Sequence, residues 1–136
     1  MKLQQSTLLG LYASLELAKV DGEQLSAADI ADKFDVSINH LAKVLRILVK
    51  AGLLQAVRGA GGGYRFSGNA KRTTLMDVIE QFEPVAIEGF EHRDSPHHTD
   101  VEAGLAIALT EISEMMQATL RSITIRTMLK IMPESE

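Results

Sequence analysis

Residues 37–66 of this 136-residue chain read SINHLAKVLRILVKAGLLQAVRGAGGGYRF, an amphipathic segment followed by two short apolar runs around a glycine-rich loop. Ser37 is well placed to cap a helix, and Ala51-Gly52 ends it because glycine readily takes the left-handed conformation. The apolar residues between these limits recur at helical spacing and share one stripe: Leu41, Val44, Leu45 and Leu48. We therefore predict a helix with one buried face and one polar, basic face.

Two short strands are predicted after this helix, at residues 53–57 and 64–67. The loop between them runs from Arg58 to Gly63, and its glycines leave little side-chain bulk at the tip of a hairpin. A dinucleotide phosphate loop would need a helix after the glycines, and a flexible linker would lack the flanking arginines and the partner strand. The pattern favours a wing that enters a narrow minor groove, with Arg58 inserted and glycine amides close to phosphates.

A shorter helix is predicted just upstream. Ser26-Ala-Ala-Asp29 resembles a capping box, and an apolar face formed by Ala27, Ile30, Ala31 and Phe34 follows it. About three turn residues separate this helix from the next one, as in a helix-turn-helix. With a further helix over residues 6–19, the predicted fold class is mainly α with a small β-hairpin wing, a winged helix-turn-helix.

Charge is divided unevenly along the chain. The net charge is −4, yet residues 1–75 carry ten basic and six acidic side chains, whereas residues 76–136 carry four and twelve. Between Val36 and Met76 no residue is acidic and seven are basic, namely Lys43, Arg46, Lys50, Arg58, Arg65, Lys71 and Arg72. We expect this basic span to attract a polyanion and the acidic remainder to face away from it.

The C-terminal part is predicted to contain a long dimerisation helix. Thr74 caps a short helix that Pro84 closes, and a polar stretch reaches His98. A second capping box at 99–102 begins the long helix, which residues 122–125 bend or break. Its apolar stripe is too long for so small a domain to cover, so we expect it to meet its twin in a homodimer through Leu105, Leu109, Ile112, Met116, Leu120 and Ile123.

These patterns divide the chain into a winged helix-turn-helix domain at 1–83, an effector loop at 84–98, the dimerisation helix at 99–132 and a tail at 133–136. No apolar run approaches the roughly 18 residues that span a bilayer, and the first residues lack a signal peptide, so we expect a cytoplasmic protein with no membrane partner. The chain has no cysteine, which excludes disulfides, thiolate zinc sites and cysteine nucleophiles.

The order of elements resembles that of the Rrf2 family of bacterial transcription factors. The likeness is carried by Asn39-His40-Leu41, by Lys50-Ala-Gly-Leu53 and by the wing from Val57 to Tyr64, and it covers residues 1–85 well. The resemblance implies a homodimer on a near-palindromic double-stranded operator, with the second helix in the major groove and the wing in the minor groove.

The resemblance also implies which residues contact DNA. Carried over by position, the residues that would contact bases or phosphates are Ser37, Asn39, His40, Lys43, Arg58 and Gly59, while Tyr64 would brace the wing. The helical pattern adds Arg46, which with Lys43 points away from the apolar stripe, and we include Arg65 from the wing. His40 has an alternative interpretation as an ordinary surface histidine.

The chain departs from this family where cluster-bearing members place three cysteines before the long helix. The comparable stretch contains none, so a cysteine-ligated iron–sulfur cluster is excluded and we predict no cofactor. His92, His97 and His98 fall there beside carboxylates and are candidate ligands for a metal or haem. A solvated loop that binds nothing is favoured, and a pH response or an organic effector are further alternatives.

Two other functions compete with a repressor that binds DNA. A winged fold can serve as a protein-interaction module, although the acid-free basic span and the intact Arg58 wing argue against it. An enzyme is disfavoured because no nucleophile–base motif or phosphate loop is present. Salt-sensitive binding to duplex DNA separates the regulator from both alternatives.

Overall fold

A computed structural model describes residues 1–90 and 99–134 of the chain. The elements are α1 Gln5–Lys19, α2 Ala27–Phe34, α3 Ile38–Lys50, β1 Leu54–Val57, β2 Gly63–Phe66, α4 Leu75–Ile79, α5 Asp100–Ser122 and α6 Ile125–Ile131. This mainly helical architecture with one two-stranded hairpin confirms the predicted fold class. Among the described residues, no helix combines the length and the hydropathy that a membrane span requires.

Helices α2 and α3 form the predicted helix-turn-helix. The Ser26 hydroxyl accepts a hydrogen bond from the backbone N–H of Asp29 at 3.0 Å, and the Ser37 hydroxyl accepts one from His40 N–H at 3.3 Å. These bonds satisfy amide groups that have no partner inside their own helix. Between the helices Asp35 takes a left-handed backbone conformation with φ of 52°, which aspartate tolerates and which turns the chain sharply.

The predicted wing is an antiparallel hairpin in which the pair Val57 and Gly63 closes the loop. A third segment joins it, because Leu25 and Tyr64 exchange two backbone hydrogen bonds of 2.9 and 2.8 Å. A Cβ on Gly63 would overlap the Leu25 carbonyl oxygen, so glycine is required for this close approach. The hairpin is therefore attached to the chain immediately before α2.

The hydrophobic core lies between α1, the helix-turn-helix and β1. The apolar stripe predicted on α3 is buried within it, and the main cluster of buried residues is Leu9, Ala13, Leu17, Ile30, Ala31, Leu41, Val44, Leu45, Leu48, Leu54 and Val78. At the surface, Lys33 Nζ donates to the Glu16 carboxylate at 2.7 Å and ties α2 to α1. This packing fixes the orientation of α3 with its polar face outward.

Helix α4 is shorter than predicted. Thr74 and Asp77 form a complete capping box at its start, but the helix ends at Ile79 instead of continuing to Pro84. Tighter turns follow, in which Phe82 N–H donates to the Ile79 carbonyl. The Phe82 ring lies so close to Gly10 of α1 that a Cβ there would overlap it. Packing of this ring on α1 thus ends the helix earlier than the proline would.

The C-terminal helix breaks where predicted. Helix α5 ends at Ser122, and Ile123 adopts an extended backbone. The Ile123 carbonyl accepts from Leu75 N–H at 2.9 Å, and Ile125 N–H donates to the Thr73 carbonyl at 2.8 Å. The link between the last two helices is therefore paired with the start of α4. Helix α6 then packs against α1, with Ile125 completely buried.

Candidate nucleic-acid interface

One ridge of α3 faces solvent and carries polar and basic side chains. Asn39, Lys43, Arg46 and Lys50 are all exposed and follow one another at i, i+4, i+7 and i+11, so they share one helix face. The buried apolar stripe lies on the opposite face and anchors the helix. Three residues predicted to bind DNA, Asn39, Lys43 and Arg46, are therefore brought together on a helix whose shape suits the major groove.

Two other predicted DNA-binding residues have bonds within the protein at the start of α3. The Ser37 hydroxyl caps the helix, and the half-buried His40 places its Nε2 3.1 Å from the Ser6 Oγ of α1. Both side chains lie at the N-terminal end of the exposed ridge. No sequence pattern indicates the bond between His40 and Ser6, because 34 residues separate them.

The wing ends in a tight glycine turn. Gly59 has a φ of 105°, which side chains rarely allow, and its carbonyl accepts from Gly62 N–H at 2.9 Å. The Gln24 side-chain amide donates to the Gly61 carbonyl, so the segment before α2 supports the tip. Arg58 is exposed beside this turn, and no ion pair within the described part of the chain holds it back.

The remaining predicted wing residues lie along β2. Arg65 is exposed, and its Nε donates to Gln55 Oε1 at 2.8 Å across the hairpin. An arginine has five N–H donors, so this bond leaves others for a ligand. Tyr64 is half-buried against the core, while its backbone pairs with Leu25. Tyr64 therefore lies where the hairpin meets the rest of the domain.

The basic span keeps its positive charge at the surface. All seven of its Lys and Arg side chains are exposed. In the described residues the ion pairs join Glu16 to Lys19 and to Lys33, outside this span. Helix α5 carries four carboxylates, at Asp100, Glu102, Glu111 and Glu114, and the winged domain carries others outside the basic span, for example at Asp29 and Asp32 of α2. The positive charge of the basic span is therefore open to solvent on α3 and the hairpin, where it would attract a polyanion.

Sequence reasoning missed two residues at this surface. Gln24 supports the wing tip across 37 residues of sequence, and no local pattern indicates such a contact. Ile38 begins α3 and is 47% exposed beside Asn39, although its apolar side chain three residues before Leu41 fits the buried stripe. The position of Ile38 directly after the cap could have indicated its exposure, because the first turn of the helix is still solvated.

Helix α5 buries little against its own chain. Of its 23 residues, all described, only Ser113 is buried, while Met115 is 68% exposed and was not predicted. A groove of about 760 Å³ lies between α5, the first four residues and residues 83–88. Among the predicted dimerisation residues, Leu105 and Ile112 are exposed, Leu109, Met116 and Leu120 are half-buried, and Ile123 lies beyond the helix end.

The candidate metal ligands His92, His97 and His98 lie outside the described residues. Within residues 1–90 and 99–134, no group of three or more His, Asp or Glu side chains is arranged to hold a metal ion. The described part of the chain therefore presents a candidate nucleic-acid surface and a largely exposed helix α5, and these residues form no assembled metal centre.

An exposed basic helix beside a glycine-tipped wing defines a winged-helix DNA-binding protein of the kind that regulates transcription. Comparison with known proteins agrees with this class. Residues 3–131 match the Rrf2 family, described as iron-dependent transcriptional regulators. The chain belongs to the Rrf2 family and is a transcriptional regulator, not an enzyme.

Individual relatives point the same way. The chain is 52% identical over 131 residues to a protein of Rhodopseudomonas palustris named as the HTH-type transcriptional regulator BadM, covering 96% of this chain and 83% of the relative. It is similar to the structure of CymR, the global cysteine regulator of B. subtilis, with a TM-score of 0.80, 25% identity, and coverage of 98% and 99%. IscR of T. potens gives a TM-score of 0.76 at 25% identity, with coverage of 99% and 94%.

Proposed function

We propose that this chain is a cytoplasmic repressor that binds a specific operator in duplex DNA as a homodimer. The observation that carries the proposal is the basic span between Val36 and Met76, which contains no acidic residue and exposes all seven of its cations, five of them on α3 and the hairpin. Such a surface supplies the sequence-independent attraction, and the side chains on α3 supply base contacts. A dimer bound across a promoter excludes RNA polymerase, so occupancy leads to repression.

The positions of the side chains support a specific set of proposed DNA contacts. The α3 ridge enters the major groove, where Asn39 suits adenine and Arg46 suits guanine, while Lys43 is close to phosphates. Ser37 and His40 lie beside the phosphate backbone at the helix start. In the adjacent minor groove the wing inserts Arg58, with the Gly59 amide and Arg65 along its edge and Tyr64 at its base.

Dimerisation occurs along α5. A 23-residue helix with one buried residue is only partly covered by its own chain and needs a partner surface. A second copy of α5 covers Leu105 and Ile112, and it continues over Met116 and Leu120 at the edge of the groove. Because a twofold dimer presents two α3 ridges, the operator has two related half-sites.

The signal that controls DNA binding is not sensed by an iron–sulfur cluster on this chain's own thiolates, because the chain has no cysteine. The segment at 84–98, between the winged domain at 1–83 and the dimerisation region at 99–132, is the place where another signal acts. Binding of an effector there changes DNA affinity without a cofactor resident in the protein.

The test is binding of metal-stripped protein to genomic fragments, its own promoter included, over a salt series. We expect selective binding with an affinity that falls steeply with salt, and repression of in vitro transcription from the selected promoter. Replacing Arg58 with alanine weakens operator binding by about 1–3 kcal/mol. The matched variant Arg121→Ala, on α5, leaves it within about twofold of wild type. Equal binding by Arg58→Ala and wild type contradicts the wing assignment.

A further inference from the structure

The first turn of α1 lies between polar contacts from two distant parts of the chain. On one side the Glu83 carboxylate accepts a hydrogen bond from Gln4 N–H at 2.7 Å and another from the Thr7 hydroxyl. On the other side Ser6 Oγ lies 3.1 Å from His40 Nε2 in the first turn of α3. A single helical turn therefore connects the chain beyond α4 with α3, the helix proposed to enter the major groove.

Glu83 supplies the cap that the start of α1 otherwise lacks. The side chain of Gln4 makes no capping bond, and the first turn contains no acidic residue. The unpaired amides and the positive end of the helix dipole favour a carboxylate at this position. Thr7 is completely buried, so loss of Glu83 leaves its hydroxyl without a partner in the core. We expect the turn that carries Ser6 to fray as a result.

The residues that follow Glu83 are hydrogen-bonded to α5. The Val85 carbonyl accepts from Gln117 Nε2 at 2.8 Å, and Ile87 N–H donates to Ser113 Oγ at 2.9 Å. Ser113 is the buried residue of α5 and also donates to a carbonyl of its own helix. A displacement of α5 or of the segment bonded to it is therefore transmitted to Glu83 within a few residues.

We propose that Glu83 is a positioning residue for the recognition helix, coupling the α5 side of the molecule to α3 through Thr7, Ser6 and His40. The inference rests on the proposed function, because it concerns the regulation of the same DNA-reading surface. While Glu83 caps α1, Ser6 holds His40 and the start of α3 is ordered before DNA arrives. When Glu83 is withdrawn, binding must order this region, so the affinity for the operator falls.

The first test compares Glu83→Ala with Glu80→Ala, which removes the same charge from an exposed side chain three residues away. We expect Glu83→Ala to weaken operator binding about tenfold at equal folded fraction. Glu80→Ala should bind as wild type or slightly more tightly, because loss of a negative charge favours approach to DNA. Electrostatics alone predicts the same tightening for both variants, so the sign of the Glu83→Ala effect separates the two explanations.

The second test needs no DNA. The imidazole resonances of His40, assigned with a His40→Asn variant, should shift in Glu83→Ala and in Ser6→Ala but not in Glu80→Ala. Ser6→Thr keeps the hydroxyl and should preserve the wild-type resonances. The double variant Ser6→Ala with Glu83→Ala should bind the operator no more weakly than Glu83→Ala alone, because both act in one chain of contacts.

The outcomes distinguish this proposal from the proposed function. A Glu83→Ala protein that melts earlier but keeps wild-type operator affinity and unshifted His40 resonances would show that Glu83 only stabilises the fold, and the proposal would be wrong. Wild-type protein that binds no DNA would overturn the proposed function, and the His40 spectrum would still decide whether Glu83 positions α3.

Discussion

Replacing Gly63 with alanine tests whether the wing is held by Leu25 as well as by β1. The Gly63 backbone is so close to the Leu25 carbonyl that a Cβ overlaps it, and β2 must move away to accommodate one. The two hydrogen bonds between Leu25 and Tyr64, at 2.9 and 2.8 Å, are then lost. At about 0.5–1.5 kcal/mol each, their loss lowers the free energy of unfolding by about 1–3 kcal/mol.

Urea denaturation followed by circular dichroism measures this change, with an unaltered m-value expected. Gly104→Ala is the control, because Gly104 lies within α5 with open space around its Cβ position. Alanine there should raise the stability by up to about 1 kcal/mol through helix propensity. Displacement of the wing should also reduce the effect of Arg58→Ala on operator binding, since Arg58 is then already out of place.

The reasoning fails if the Gly63→Ala protein unfolds at the wild-type urea concentration. It fails equally if the Tyr64 amide keeps its wild-type protection from hydrogen exchange, because that amide donates to the Leu25 carbonyl. Either result would mean that β2 accommodates a methyl group without leaving Leu25.

Two further predictions concern other parts of the chain. Ile112→Glu should dissociate the proposed homodimer in analytical ultracentrifugation without unfolding the monomer, because Ile112 is 44% exposed. Ile107→Glu, on another face of α5, should leave that dimer intact. The hydrogen bond from Lys33 to Glu16 raises the pKa of Lys33. The contribution of this bond to stability is therefore fully present below the ordinary pKa of 10.5 and is lost as the pH rises through the folded-state pKa. Glu16→Gln should remove this alkaline dependence from urea unfolding curves, and an unchanged dependence would refute the prediction.

The helix-turn-helix could be predicted because several local signals agree. Ser26 and Ser37 are helix caps in the sequence pattern and in the structure, and the apolar stripe of α3 is buried as its spacing predicts. The wing could be predicted for the same reason, because its glycines and short apolar runs all fall within fourteen residues. Where capping, periodicity and turn chemistry coincide, the position of an element follows from neighbouring residues alone.

The remaining features depend on residues far apart in the chain. The contacts of Gln24 with Gly61 and of Ser6 with His40 join residues more than thirty positions apart, and no local pattern indicates either contact. Pro84 predicts a later end for α4, whereas the helix ends at Ile79 and Phe82 beyond it packs on α1. Such contacts follow from tertiary packing, which periodicity and propensity do not encode.

The strand-like pairing of Thr124 with Thr74 has a consequence for the operator. It fastens the end of α5 to the winged domain, so that in a dimer joined along α5 the two recognition helices keep a constant separation and relative angle. One base pair inserted between half-sites turns them by about 34° relative to each other, and a rigid dimer cannot follow that rotation. Operators of this protein should therefore tolerate altered bases more readily than altered spacing.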